Sequence, residues 1–333
     1  VARSLGLLRA PAFAGKISTR CIAAVTRAAK VGDSAQVHYV GTLDDGTIFD
    51  SSRERTPLEF MIGAGNVIRG FDLAVTGLEI GQTRKARIDP VDAYGELDRS
   101  MVMAFPSTQA PAGLKVGSRV KLSNGQTAAV TKIDDKEVEI DLNHELAGKT
   151  LTFDVELMGL ISAEQQAKAT FGMGCFWGPE LHYQRVPGVI ATQTGYSNGK
   201  TDQLTYEEVC SGSSGAVEVV EVVYDTAQTS YEKLLDVFWA NHDPTQVDGQ
   251  GGDRGTQYRS GIYFHNPEQQ EIAKKSMAAQ QAKLGKPIAS EIVAVHNYST
   301  AEPNHQQYLA RGGRGGNAQS PAKSCTDKVR CYG

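Results

Sequence analysis

The chain has 333 residues, more than one hydrophobic core comfortably serves, so two domains are expected. A net charge of −4 and a pI of about 6.0 leave no nucleic-acid footprint, and no stretch approaches the roughly 18 consecutive apolar residues of a membrane helix. Five cysteines, Cys21, Cys175, Cys210, Cys325 and Cys331, are too sparse for a secreted disulfide framework and suit a compartment that keeps thiols reduced, where any disulfide is transient and catalytic.

Residues 1–30 carry Arg3, Arg9, Lys16, Arg20, Arg27 and Lys30 but no Asp or Glu, which is transit-peptide composition. A plastid and a mitochondrion are equally open, and the cytoplasm follows if this is only a basic tail. From Val31 the texture changes to alternation: Ala35 to Val40, a turn at Asp45-Gly46, then Ile48-Phe49-Asp50, which predicts an antiparallel hairpin. The stretch Met61 to Gly70 leads into a predicted amphipathic helix through Phe71, Leu73, Ala74 and Leu78, closed by Gly77 and Gly81, and Arg84 to Ile88 returns as a strand. One helix on an antiparallel sheet makes this half α+β.

Five motifs here resemble the FKBP-type prolyl isomerases. They are Val37-His38-Tyr39-Val40-Gly41-Thr42-Leu43, Gly46-Thr47-Ile48-Phe49-Asp50-Ser51-Ser52, Val67-Ile68-Arg69-Gly70-Phe71, Asp92-Ala93-Tyr94-Gly95 and Leu151-Thr152-Phe153-Asp154-Val155-Glu156-Leu157. The resemblance spans 31–160 and is interrupted by an insert at about 97–148 with its own strand-like runs, Arg119 to Leu122, Thr127 to Ile133 and Val138 to Ile140, and turns at Asn124-Gly125 and Asp134-Asp135. Such an insert is similar to the flap subdomain of SlyD-like isomerases, which captures unfolded peptide; the histidine-rich tail of that protein is absent, so no metal is expected.

Prolyl isomerisation must lower a rotational barrier of about 18–20 kcal/mol. A pocket does so by taking the twisted amide, less polar than the planar one, out of water. The resemblance implies a pocket of Tyr39, Phe49, Asp50, Phe60, Val67, Ile68, Phe71, Tyr94 and Phe153, with Phe71 at the floor where many family members carry tryptophan. Residues 161–168 are polar and short and read as a linker with a helical turn capped by Ser162.

In 169–310, the run Gly172-Met173-Gly174-Cys175-Phe176-Trp177-Gly178 follows a β-leaning segment and precedes a predicted helix, Pro179 to Arg185. A thiol at a helix N-terminus is expected to ionise below the ~8.5 of free cysteine. Phe176 and Trp177 offer apolar faces to a small group. The run Ala216 to Asp225 reads as a buried strand, on which Glu218 and Glu221 face opposite sides, one of them inward. Helices at Tyr231 to Asn241 and Pro267 to Leu284, with strands at Tyr258 to His265 and Ile288 to Val295, give a second α+β domain. Asn241-His242-Asp243-Pro244 reads as a helix-ending turn rather than a thiol-protease histidine.

Gly174-Cys175-Phe176-Trp177-Gly178 resembles the nucleophile motif of the A-type peptide-methionine sulfoxide reductases, and the similarity runs from about Ala169 to the end. It implies Cys175 as nucleophile, Glu218 as proton donor, Tyr206 and Tyr258 as phenols on the sulfoxide oxygen, Asp253 as a water-positioning acid, and Phe176 and Trp177 around the S-methyl group. The family's Gly-His-Ala-Glu stands here as Gly215-Ala216-Val217-Glu218. The S epimer is the expected substrate, free or in proteins, and Cys210 is expected to be structural. A Gly- and Ser-rich tail, 311–333, carries Cys325 and Cys331 as resolving thiols, in either order, that pass a disulfide to thioredoxin. The whole therefore reads as a two-domain α+β fusion, monomeric and without a bound cofactor, that repairs oxidised or unfolded polypeptides and touches neither nucleic acid nor membrane. A second reading makes the chain a peptide-binding holdase whose reductase half is inactive because Ala216 replaces histidine.

Overall fold

The computed structural model describes residues 27–111, 113–122 and 127–331. Most of the expected transit segment with Cys21, the Asn124-Gly125 turn, and Tyr332-Gly333 lie outside the described residues.

The first half is built on β1 (Ser34–Thr42), β2 (Ile48–Ser51), β3 (Leu58–Met61), α1 (Arg69–Val75) and β4 (Thr83–Ile88). It continues through an insert of β5 (Val102–Pro106), β6 (Arg119–Lys121), β7 (Thr127–Ile133) and β8 (Glu137–Asp141), and returns as β9 (Leu151–Ile161). The antiparallel order is β2-β1-β9-β4, with β3 beside β2 on β1. Inward residues alternate along β1 and β9, and Val37, Tyr39, Leu151, Phe153, Val155 and Leu157 meet Phe71, Ala74 and Val75 of α1. The helix stops short of the predicted Leu78: the Thr76 N–H bonds the Asp72 carbonyl, Gly77 takes φ +80°, and Leu73 is left 57% exposed. Leu78 then re-enters the core, its carbonyl accepting the N–H of Ala29 at 2.7 Å. Residues 27–30, assigned to the transit segment from composition, therefore pack on this domain; Ala29 is buried and Arg27 pairs with the sealed Asp33 at 2.7 Å.

The insert forms its own antiparallel sheet, β5-β8-β7-β6, around Ala128, Val130, Val138 and Ile140. Between the halves only 162–165 separates β9 from the next strand, with Ala163–Gln165 a single 3-10 turn closed by a Ser162/Gln165 capping box. The expected linker is thus shorter than 161–168, because both flanking strands extend into it.

The second half comprises β10 (Gln166–Met173), α2 (Trp177–Gln184), β11 (Val189–Ser197), α3 (Tyr206–Cys210), β12 (Val217–Asp225), α4 (Tyr231–Ala240), β13 (Gly249–Gln250), β14 (Asp253–Arg254), β15 (Ser260–Phe264), α5 (Pro267–Leu284), β16 (Glu291–Ala294) and β17 (Ser299–Thr300). Its main sheet runs β16-β15-β10-β12-β11-β17, with β15 and β16 parallel. Every residue of β12 is buried, as its β-branched run predicts. Glu218 and Glu221 do face opposite sides, yet both are buried; Glu221 is compensated by Lys168 at 2.7 Å.

Gly70 lets α1 sit on β4, since a Cβ there falls 2.2 Å from the Ile88 Cγ2. Gly70→Ala is expected to destabilise the first half by about 1–3 kcal/mol through overpacking. Both tryptophans, Trp177 and Trp239, lie in the second half. The check is therefore that the circular-dichroism transition of the first half moves down while the tryptophan-fluorescence transition stays in place.

Candidate active site

β10 ends at Met173, and Gly174, at φ +83° with the Gln250 side chain 2.5 Å from where a Cβ would stand, turns the chain so that Cys175 precedes the first turn of α2. Cys175, Phe176, Trp177, Tyr206, Glu218, Asp253, Tyr258 and Cys331 line one cavity of about 530 Å³. Seven residues singled out for chemistry and one of the two tail thiols are thus brought together. Cys325 is not among them; it lies partly buried in the tail, its N–H on the Ala322 carbonyl.

Glu218 projects from the start of β12, 2% exposed, and its Oε2 accepts the Phe176 N–H at 3.1 Å. Burial pushes its carboxyl up to about 8, against the pull of that N–H and with help from the charge of Asp253. Ala216, where the sequence resemblance expects histidine, is buried in the same apolar cluster as Leu204, and a Cβ on Gly199 would stand 3.0 Å from the Ala216 Cβ.

The thiol departs from expectation. Cys175 is partly buried, and desolvation, then Glu218, push it well above the ordinary range, with Cys331 and Asp253 adding to the rise. The Trp177 N–H at the helix start does lower it, as the helix-terminus argument requires, but one N–H is outweighed by burial beside three acidic groups. Cys331 is bonded in the same manner by the next N–H, that of Gly178, so both sulfurs sit on consecutive amides of α2; its thiol too is raised, by burial first. The Tyr206 phenol, raised mainly by its bond to the Cys210 thiol, and the Tyr258 phenol, raised by burial, both stay protonated as donors. Cys210 is exposed.

Phe176 is a buried part of the cavity wall, packed against Tyr196 and His305 at ring separations of 5.9 and 5.4 Å. Trp177 stacks on Tyr308 at 3.8 Å and donates its Nε1–H to His305 Nδ1 at 3.2 Å; burial lowers that imidazole, keeping it neutral and able to accept. Glu302 accepts the Tyr196 hydroxyl at 2.8 Å and the Tyr206 N–H at 2.7 Å. The segment holding Glu302, His305 and Tyr308 was missed from sequence because it has no strand or helix period; its signal was an uncharged aromatic and amide run, Asn304 to Leu309, after a proline. His242 is no part of the site, its Nε2 lying 2.6 Å from the Ser260 hydroxyl.

In the first half, Tyr39, Phe49, Asp50, Val67, Ile68, Phe71, Tyr94 and Phe153 line a second cavity of about 430 Å³, together with Leu58, Gly65 and Asn66, which were not foreseen. Phe60 does not reach it. It lies beneath Phe71, ring to ring at 5.7 Å, because its position on β3 points into the core. The Tyr39 hydroxyl donates to Asp50 at 2.5 Å, and burial with that bond pushes the phenol up to about 12. Burial opposes ionisation of Asp50, but its bonds from Tyr39 and Arg55 prevail and hold it below the usual carboxylate range. Tyr94 stacks on His144 at 3.9 Å, which joins this pocket to the end of the insert.

Comparison with known proteins matches residues 167–330 to the peptide methionine sulfoxide reductase family and residues 25–158 to the FKBP-type peptidyl-prolyl cis-trans isomerases. Peptide methionine sulfoxide reductase A3 of Arabidopsis thaliana is 53% identical over 165 residues, 50% of this chain and 82% of that protein. The chain belongs to the peptide methionine sulfoxide reductases. It joins such a reductase to an FKBP-type prolyl isomerase domain. The chloroplastic reductase A4 of Arabidopsis thaliana is 53% identical over 173 residues, 52% of this chain and 67% of that protein. Among solved structures, methionine sulfoxide reductase A of Corynebacterium diphtheriae is 36% identical, covers 50% of this chain and 82% of that one, and has a TM-score of 0.42.

One more carboxyl supports the reductase cavity. Glu180 of α2 is 1% exposed; its Oε2 accepts the Gln307 N–H at 2.7 Å, and the Tyr308 N–H also bonds the carboxylate. Burial raises it from 4.5 to about 7, so its folded-state value lies above the unfolded one. The stability it contributes is full below about 4.5 and is lost as pH rises through about 7. Glu180→Gln, which cannot titrate, is expected to gain on the wild type in denaturant-melt stability as pH rises across that window. Glu180→Ala leaves both N–H groups unpaired, costs about 1–3 kcal/mol, and raises KM for sulfoxide by loosening Tyr308 from Trp177.

Proposed function

We propose that the reductase cavity reduces methionine sulfoxide by a proton shared between Glu218 and Cys175. The Cys175 sulfur attacks the sulfoxide sulfur while Glu218 gives its proton to the sulfoxide oxygen, with the Tyr206 and Tyr258 hydroxyls donating to that oxygen as its charge grows. Phe176 and Trp177 hold the S-methyl group, and Asp253 positions water. The Cys175 sulfur bonds to the sulfoxide sulfur as the oxygen, given the Glu218 proton and a second from solvent, leaves as water. The water at Asp253 then attacks the Cys175 sulfur, the S–S bond breaks with its electrons to the substrate, one proton returns to solvent, and methionine leaves reduced with Cys175 as sulfenic acid. The observation that carries this reading is the Glu218 carboxyl, buried, bonded to the Phe176 N–H and raised to about 8 on the wall that holds Cys175. Because that N–H orients Glu218, the absent family histidine does not disarm it, which weighs against the holdase reading.

Cys331, in the cavity and on the amide next to that of Cys175, attacks the sulfenic sulfur first; a disulfide forms and water leaves. Cys325 then attacks Cys331, frees Cys175, and leaves the Cys325–Cys331 disulfide at the surface for a thioredoxin dithiol to reduce. The tail is docked by polar bonds, Arg185 to the Asp327 carbonyl at 2.5 Å and Lys323 to the Gln184 and Val189 carbonyls at 2.9 and 2.6 Å, which exchange readily with water and allow it to move. The S epimer is the substrate. The isomerase half, with its insert, holds unfolded oxidised chains near the reductase and raises their local concentration. The chloroplastic relatives favour a plastid. Among the described residues, no helix is long and apolar enough to cross a membrane.

The reactive form carries one proton, on Glu218 and not on Cys175. Its population grows as the pair loses its first proton and levels off once pH passes the Glu218 value, so kcat/KM is expected to rise with pH and flatten near about 8. Glu218→Gln should lose about 10²–10⁴-fold in rate and keep rising beyond that point. A wild-type profile that falls through this range would show that the fully protonated pair reacts. For the thiols, Cys331→Ser is expected to accumulate sulfenic acid at Cys175 after one turnover, detected by dimedone labelling, whereas Cys325→Ser should accumulate a Cys175–Cys331 disulfide; the reverse pattern would invert the order.

A further inference from the structure

A third cavity, of about 520 Å³, lies between the two halves and belongs to neither active site. One wall is β3 with the loop before α1, and the other is the first part of β11 with the loop 303–311. We infer that this cleft binds an extended segment of unfolded polypeptide, running from the isomerase pocket toward the reductase cavity. The inference rests on the reading that both halves serve one polypeptide.

Three observations support it. The cleft is continuous with the isomerase pocket, since Leu58, Asn66 and Val67 line both. At its other end a single loop divides it from the reductase cavity: Pro303, Gln306 and Gln307 face the cleft, while Asn304, His305 and Tyr308 of the same loop line the cavity. The walls are also open strand edges. Among the described pairings β3 bonds only to β1, and β11 is flanked on its far side by β17 only at Gly195 and Tyr196, leaving Ile190 to Thr192 without a strand neighbour there, between a Val189 carbonyl taken by Lys323 and a Gln193 carbonyl taken by Tyr298. Two such edges facing one space offer backbone donors and acceptors to an added strand. Side chains suited to peptide groups stand beside them, the amides of Gln184 and Gln307, while Leu58 and Ile190 supply apolar contact without a shaped pocket. A site that reads backbone and tolerates any side chain fits a repair enzyme whose substrate is defined by one oxidised residue.

The test uses the full chain and two substrates, N-acetyl-methionine sulfoxide and peroxide-oxidised, reduced and carboxymethylated α-lactalbumin, which stays unfolded. Ala191→Arg and Ile190→Arg fill the cleft from the β11 edge; Phe49→Ala opens the isomerase pocket. Both arginine variants are expected to lower kcat/KM on the polypeptide at least fivefold and to leave the small substrate unchanged. If Phe49→Ala lowers the polypeptide rate but neither arginine variant does, the cleft is overturned while the shared-substrate reading stands. If none of the three changes it, both are overturned. Equal loss on both substrates in both arginine variants would mark damage to the β11 sheet and likewise overturn the cleft.

Discussion

A carboxyl kept out of water beside a thiol is the constraint around which the second domain is arranged. Glu218 sits near the start of β12, a strand whose every residue is buried, and it accepts a hydrogen bond from the backbone of the residue after the nucleophile. Desolvation makes its ionised form unfavourable, and an ionised Glu218 in turn makes a thiolate at Cys175 unfavourable. The two groups therefore hold one proton more tightly than either would alone. A sulfoxide, whose reduction needs a nucleophile on sulfur and a proton on oxygen, draws on both at once.

The rest of the fold supplies what that pair cannot. The amides at the start of α2 reach Cys175 and Cys331 in succession, so the sulfur to be oxidised and the sulfur that relieves it share one helix terminus. The loop after β17 brings His305 and Tyr308 onto Trp177 and is held from below by Glu180, a carboxyl as deeply buried as Glu218 but turned toward backbone N–H groups instead of the cavity. The isomerase half solves a different problem with apolar walls: Phe71 meets Tyr39 and Phe153 at ring separations of 5.4 and 5.0 Å, and the Tyr39–Asp50 pair provides the polar element.

Much of this was legible in the sequence where a local pattern carries it. The alternation of β1 and β9, the Asp45-Gly46 hairpin, the full length of α5 and the burial of β12 all follow from period and turn chemistry. The cavity residues followed from motif resemblance, and all of the residues named for sulfoxide chemistry converge on it. What failed depended on packing. The helix-terminus argument gave the sign for Cys175 that one amide produces, and could not count the burial and neighbouring acids that reverse it. Phe60 was assigned to the isomerase pocket because resemblance does not say which face of β3 it takes. Strand β5 and the loop at 302–309 were passed over because neither has periodicity, and their places are set by partners distant in the chain, β8 for one and Trp177 for the other.

The claim that everything in the reductase half turns on is that Glu218 remains protonated near neutral pH in the resting enzyme. Carboxyl-labelled glutamate, with the Glu218 resonance assigned by its loss in Glu218→Gln, reports this directly by carbon NMR. A midpoint near 8 is predicted; a midpoint at the ordinary glutamate value near 4.5 would show a solvated carboxylate at rest and contradict the shared-proton account.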